Sequence, residues 1–245
     1  MLFKTKGIVM RSVKYGETSL VVTIFTELFG IQTYMVNGVR TSSLKTVQKA
    51  SQFQPATLLE MVVYHQGSKS MQRIRESRWS VLYRHIFQDI RKNAVALFMV
   101  ELLQKCLRQP EPNADLFHFT EDALMHLDQA EPMVTANFPL YFALHLAHFF
   151  GYRISDDHDA AHGVLDLREG EFVSEEPQHA DWIGGLQSTI VSTLLKTLDP
   201  AELADIPLNQ ESRRELLRHL LHFYALRNTD FGTLKSVPVL QEVLD

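Results

Sequence analysis

Eleven Lys and Arg side chains fall within the first 78 residues against only four Glu, whereas residues 79–245 hold 13 basic against 25 acidic side chains. A chain of overall charge −5 is therefore a basic segment of net +7 joined to an acidic one of net −12. Guanidinium and ammonium groups at that density suit the neutralisation of a polyanion's phosphates, nucleic acid above all. Charge alone leaves two alternatives open, an acidic protein partner and a solvated basic face. The candidate phosphate contacts are Arg11, Lys14, Arg40, Lys45, Lys49, Arg73 and Arg75. Tyr15, Phe29, Tyr34 and Tyr64 stand beside them, and rings set among cations stack bases while the cations follow the backbone. Core or rim packing is the plainer reading for most of these four.

Other chemistries find little support. The chain lacks a G-x-x-x-x-G-K-[ST] phosphate loop, a G-x-G-x-x-G fingerprint, a G-x-S-x-G elbow and an H-E-x-x-H pair. Among the 11 His, His145/His148 and His219/His222 are i, i+3 pairs and His158/His162 an i, i+4 pair, spacings that place two imidazoles on one helix face. Two histidines make half a zinc site, however, and the first two pairs lie in apolar stretches. His158 and His162, set among Asp156, Asp157 and Asp159, are the better ligand candidates. The single cysteine, Cys106, lies among Leu102, Leu103 and Leu107 and reads as a small buried residue rather than a nucleophile. The expectation is a protein that is not an enzyme and needs neither metal nor cofactor.

The elements that must carry the cations change character near residue 78. Residues 7–15, 19–26, 31–36, 57–65 and 71–77 are rich in β-branched and aromatic side chains and read as strands. Leu20, Val22 and Ile24 alternate with Ser19, Val21 and Thr23, and Arg73 and Arg75 share one face with Ile74 on the other. Gly16, Phe29-Gly30, Asn37-Gly38 and Gly67 mark the breaks. Five short strands with a polar insertion after the third fit an OB-type barrel, although a small SH3-like barrel or an open sheet fits the count nearly as well.

From Trp79 the period becomes helical, predicting helices over 80–91, 94–108, 115–128, 136–150 and 211–227. Pro110, Pro112 and Pro132 serve as breaks, and Pro139 falls near the start of the fourth. Ser212 and Glu215 fit a capping box for the last. Residues 152–180 form an acidic, turn-rich connector. The predicted fold class is α+β multidomain, an OB-fold barrel over 1–78 followed by an all-helical domain over 79–245. An apolar fraction of 45% supports packed cores, and no stretch is apolar enough to span a bilayer. Lack of disulfides and of a secretory signal points to the cytoplasm.

The segment from Gly7 to Arg40, GIVMRSVKYGETSLVVTIFTELFGIQTYMVNGVR, resembles the N-terminal barrel of the RecO family of bacterial recombinational repair proteins. The likeness rests on a first strand ending Tyr15-Gly16-Glu17, a second closed by Phe29-Gly30, and the basic turn after Val36-Asn37-Gly38. It continues through Pro55 to His65, Met71 to Ser77, the Phe150-Gly151-Tyr152 break and a closing Leu234-Lys235-Ser236, and so covers nearly the whole chain. The resemblance implies an OB-fold DNA-binding domain, a helical domain and a non-enzymatic mediator. That mediator binds single- and double-stranded DNA, anneals complementary strands and, with RecR, helps load RecA onto strands coated by single-strand-binding protein. It also implies a pocket for the tail of single-strand-binding protein in the helical domain, for which Arg213, Arg214 and Arg218 are candidates. An OB-fold RNA-binding or adaptor protein is the alternative. Many relatives carry a four-cysteine zinc module after the Phe-Gly-Tyr break; residues 153–177 here hold no cysteine, so zinc is not carried over.

Overall fold

The computed structural model describes residues 1–39, 50–107 and 109–244. Its first five strands are β1 (Leu2–Tyr15), β2 (Ser19–Thr26), β3 (Gly30–Val36), β4 (Leu58–Tyr64) and β5 (Gln72–Trp79). They close into a barrel of order β1-β2-β3-β5-β4, with β3 and β5 parallel and the other pairs antiparallel. This is the OB arrangement. One long strand serves two edges: β1 pairs with β4 from Leu2 to Ile8 and with β2 from Gly7 to Tyr15. The bend this requires falls at a register shift between Val9 and Arg11, where an extra residue increases local twist. Val22, Ile24 and Tyr34 point into a core that includes Val9, Phe53, Leu59 and Val63.

After the barrel, the α-helices among the described residues are α1 (Ile90–Cys106), α2 (Ala114–Gln129), α3 (Pro132–His148), α4 (Gly185–Lys196), α5 (Gln210–Arg227) and α6 (Ser236–Val243). A 3-10 turn, Pro200–Asp205, lies between α4 and α5. The chain divides into two compact units, one of residues 1–84 with 103–125, the other of 85–102 with 126–245. In the first unit the Lys6 ammonium donates to both oxygens of the Glu121 carboxylate on α2, at 2.9 and 3.1 Å. That hydrogen bond holds the Lys6 ammonium above its ordinary value.

Several helix boundaries differ from those expected. Residues 80–89 are not helical, and one helix from Ile90 replaces the two expected over 80–91 and 94–108. Two carboxylates account for this. Asp128 accepts from the backbone N–H of His85 and Ile86, and Asp89 accepts from that of Arg91, capping α1. Pro132 is the first residue of α3 rather than a break before it, which leaves Pro139 in the helix interior. α5 begins before Ser212: Asn209 is its cap, accepting from the Ser212 N–H at 2.8 Å. α3 ends in a Schellman turn, with Tyr152 N–H bonded to the Ala147 carbonyl and Gly151 N–H to that of His148, Gly151 lying at φ +73°.

The acidic connector also has structure. β6 (Val164–Asp166) pairs antiparallel with β7 (Glu171–Val173) and β8 (Trp182–Ile183), so the helical region includes a small sheet. Asp181 joins that sheet to α5, accepting from His222 at 2.7 Å and Arg168 at 2.7 Å, which hold its carboxyl below the usual carboxylate range.

The histidine pairs are spent on separate partners. His145 lies 3.2 Å from the Leu194 carbonyl, His158 contacts Thr189 and the Phe172 ring, and His162 meets Asp159 at 2.9 Å. Among the described residues no group of three or more His, Cys, Asp or Glu is placed to hold a metal ion. Burial lowers the His145 imidazole below its ordinary value. Its stabilising contribution is therefore complete above the unfolded value near ~6.5 and declines as pH falls through the lower folded value, because the unfolded chain takes the proton first. Thermal melts should show the midpoint falling between pH 7.5 and 5, and falling less in His145→Gln, which keeps an amide donor toward Leu194.

Candidate nucleic-acid interface

On the barrel's outer face, strand pairing alone fixes which residues lie side by side. Val13 of β1 opposes Val21 of β2, which opposes Met35 of β3; Met35 opposes Arg73 of β5, which opposes Tyr64 of β4. This lateral row runs around the barrel, and three steps of about 4.8 Å separate β1 from β5 along it. Arg11 and Tyr15 flank Val13 with the same outward register, beside half-buried Thr23 and Ser19. Tyr15 is 58% exposed and Tyr64 47%, so two rings stand open at either end of a band that carries Arg11 and Arg73.

The other nominated residues fall elsewhere. Lys14 pairs with buried Leu20, the inward register, but lies at the end of β1 and is exposed. The expected sharing of a face by Arg73 and Arg75 meets a bulge: Val62 opposes Glu76 and Val63 opposes Ile74, which leaves Arg75 without a partner on β4. Its guanidinium lies 3.2 Å from Glu76. Arg40, Lys45 and Lys49 lie outside the described residues. Of the four aromatic candidates, Tyr34 is wholly buried, and burial pushes its phenol well above the ordinary range. Phe29 stacks on His65 at 3.9 Å and packs against the barrel core. Tyr15 and Tyr64 are the two whose rings are exposed.

The barrel is electrostatically two-faced. Where β1 meets β4 and β5, Lys6 pairs with Glu121 and Arg78 with Glu60, while Glu27 and Glu76 line the same groove. That side neutralises itself. Across the lateral row, Arg11, Lys14 and Arg73, with Lys69 in the loop after β4, form no ion pair among the described residues. Among the described residues, Arg11, Lys14, Lys69 and Arg73 are thus cations left outside the barrel's ion pairs, away from the groove where Lys6 and Arg78 are neutralised.

Lys69, Met35, Met71 and Gln72 were not singled out from sequence. Gln72 is 3% exposed, and its amide donates to the carbonyls of Gln66 at 2.9 Å and Lys69 at 2.8 Å while accepting from the Gln66 N–H at 3.0 Å. One buried side chain thus fixes the loop that carries Lys69. A Lys between two serines beside a glycine was the available signal for a basic loop; the Gln72 clamp had none.

A second surface lies on the helical unit. Arg214, Arg218 and Glu215 of α5 line a groove of about 640 Å³ with Val237 and Gln241 of α6. Beside it, Pro139, Leu140, Leu217, Leu240 and Leu244 form an apolar pit edged by Arg213 and Arg214. Arg213 donates to the Leu208 carbonyl and Arg214 to that of Gln241 at 3.4 Å. α6 is held in place by Glu101, whose carboxylate accepts from the Lys235 and Ser236 N–H groups at 2.9 and 2.7 Å and from the Ser236 hydroxyl.

Among the described residues no helix is long and apolar enough to cross a membrane. The sequence pattern of recombination protein O, N terminal, matches residues 1–83, and that of recombination protein O, C terminal, matches residues 87–230. The chain is similar to the DNA repair protein RecO of Christiangramia forsetii, 34% identical over 248 residues that cover 99% of each chain. It is also similar to the protein of that name from Bacteroides fragilis, 32% identical over 247 residues and the whole of both chains, and from Flavobacterium psychrophilum, 31% identical over 245 residues and 99% of each. With an OB-type barrel, a helical region and matches along nearly its entire length, the chain belongs to the RecO family of DNA repair proteins.

Proposed function

We propose that the protein is a non-enzymatic mediator of recombinational repair that acts in the cytoplasm. Its barrel binds single- and double-stranded DNA and promotes annealing of complementary strands. With RecR, it helps load RecA onto strands coated by single-strand-binding protein. The observation that carries this reading is the set of exposed barrel cations outside any ion pair among the described residues, Arg11, Lys14, Lys69 and Arg73, with the exposed rings of Tyr15 and Tyr64. Cations on phosphates lower the mutual repulsion of two strands and leave base edges available for pairing. The acidic remainder of the chain, net −12 over residues 79–245, discourages DNA from coating the rest of the protein. The arginine-edged pit between α5 and α6 suits an acidic tail with an apolar end, such as that of single-strand-binding protein.

Four phosphate contacts on a single strand predict that log K falls with log salt at a slope near ~−3. Titrating a fluorescent oligonucleotide from 50 mM to 300 mM salt measures it, and a slope shallower than about −1 removes the electrostatic basis of the reading. The decisive activity is annealing of complementary oligonucleotides coated with single-strand-binding protein. Failure to accelerate annealing, or tighter binding to RNA or heparin than to DNA of equal charge, favours the RNA-binding or adaptor alternative instead.

A further inference from the structure

We propose that the groove between β3, β5 and the loop after β4 is a pocket for one unpaired nucleobase, which rests on Tyr64 while Arg73 and Lys69 hold the flanking phosphates. This deepens the DNA-binding reading of the barrel and depends on it. The groove has a volume of about 340 Å³, and Met35, Tyr64, Lys69, Met71 and Arg73 line it together with Gln66 and Gln72. That volume falls at the lower end of small-molecule sites, roughly 300–1,000 Å³. Tyr64 and Met71, 47% and 39% exposed, present their apolar surface in this one groove. Met35 and Tyr64 are the two cross-strand neighbours of Arg73, so a ring, a thioether and a guanidinium are juxtaposed by pairing rather than by side-chain chance. A phenol ring and polarizable thioethers suit the flat face of a base, and the two cations suit the phosphates on either side of it.

The pocket is built in advance. Gln72 spends both amide hydrogens on the Gln66 and Lys69 carbonyls, so the loop is held before any ligand arrives. The same commitment leaves that amide no donor for reading a base edge, and stacking on Tyr64 is tolerant of base identity. A duplex cannot use it, because paired bases are stacked on their neighbours and present no open face. The pocket therefore makes the barrel prefer single strands to duplex beyond what phosphate contacts provide, which carry no information about pairing.

The test compares fluorescence anisotropy for a 15-nucleotide single strand, the same strand with its central bases removed, and a hairpin duplex. Tyr64→Ala should weaken the intact single strand about tenfold or more, the scale of one lost base–aromatic stack, with purine and pyrimidine strands affected alike. Tyr64→Phe should bind like the parent, and duplex affinity should stay within about twofold. The parent itself should bind the abasic strand about tenfold more weakly than the intact one, and Tyr64→Ala should not weaken abasic binding further. The abasic arm needs no variant, so it stands even if Tyr64→Ala fails to fold. Equal binding of intact and abasic strands by the parent overturns the pocket, as does a folded Tyr64→Ala that loses duplex and single strand equally. If those results coincide with the roughly hundredfold loss expected on charge reversal at Arg11 and Arg73, the barrel still binds DNA and only the pocket falls. If charge reversal also leaves binding intact, the DNA reading of the barrel falls with it.

Discussion

Replacing Arg11 and Arg73 together with Glu should lower affinity for a 20-nucleotide single strand about a hundredfold at 50 mM salt and reduce the salt slope from about −3 to about −1.5. The magnitude follows from counterion release: a slope of ~0.7 per phosphate makes each contact worth about eightfold between 1 M and 50 mM salt, two contacts about sixtyfold, and two new carboxylates add repulsion. Loss should be similar for unrelated sequences, because phosphate contacts position without reading bases. Arg78→Glu is the matched control. It sits where β4 and β5 carry Glu60 and Glu76, on the self-neutralised side, and should leave affinity within about threefold. Arg213→Glu with Arg214→Glu should likewise spare naked-DNA binding while weakening capture of a tail peptide from single-strand-binding protein. Each variant is compared at unchanged circular dichroism and melting midpoint. A double variant at Arg11 and Arg73 that binds like the parent removes the nominated face, and equal damage from Arg78→Glu shows that only net charge matters.

That pair replaces the one that strand alternation suggested, and the reason marks where sequence reading stops. Period-2 spacing placed Arg73 and Arg75 on one face, and alternation does hold along β2, where Leu20, Val22 and Ile24 are buried and Ser19, Val21 and Thr23 are not. It fails at β5 because a bulge is set by pairing with β4, information that no single strand contains. The five-stranded barrel was legible because β-branched runs and glycine breaks are local signals. The start of α1 was not, since Asp128 contacts His85 and Ile86 from 43 and 42 residues away. β6, β7 and β8 are two or three residues each, too short for alternation to register. The charge split announced a basic face, yet composition could not reveal that Lys6 and Arg78 are neutralised by Glu121 and Glu60 while Arg11 and Arg73 form no ion pair among the described residues. Tyr34 and Tyr64 look alike in sequence; burial separates a core ring from an exposed one.

Gly30→Ala should destabilise the protein by about 3 kcal/mol or more. Two costs combine at this position. Gly30 opens β3 at φ +62°, a left-handed conformation that costs an L-residue about 1–2 kcal/mol. A methyl carbon there would lie 2.2 Å from the Glu111 carbonyl oxygen and 2.9 Å from the Pro110 carbonyl carbon. Both are backbone atoms and cannot rotate away as a side-chain tip would. Moving them would disturb the Pro110–Glu111 segment between α1 and α2, and with it Thr26, whose hydroxyl donates to the Gly30 carbonyl at 2.9 Å from a fully buried position. Gly151 separates the two contributions. It has the same handedness at φ +73°, but a methyl carbon there meets nothing within 4 Å among the described residues, so Gly151→Ala should cost about 1 kcal/mol, the conformational part alone. Urea unfolding of the two variants measures both, and the difference between them is the steric cost at Pro110 and Glu111. If Gly30→Ala costs no more than Gly151→Ala, that backbone contact is not as close as the fold places it.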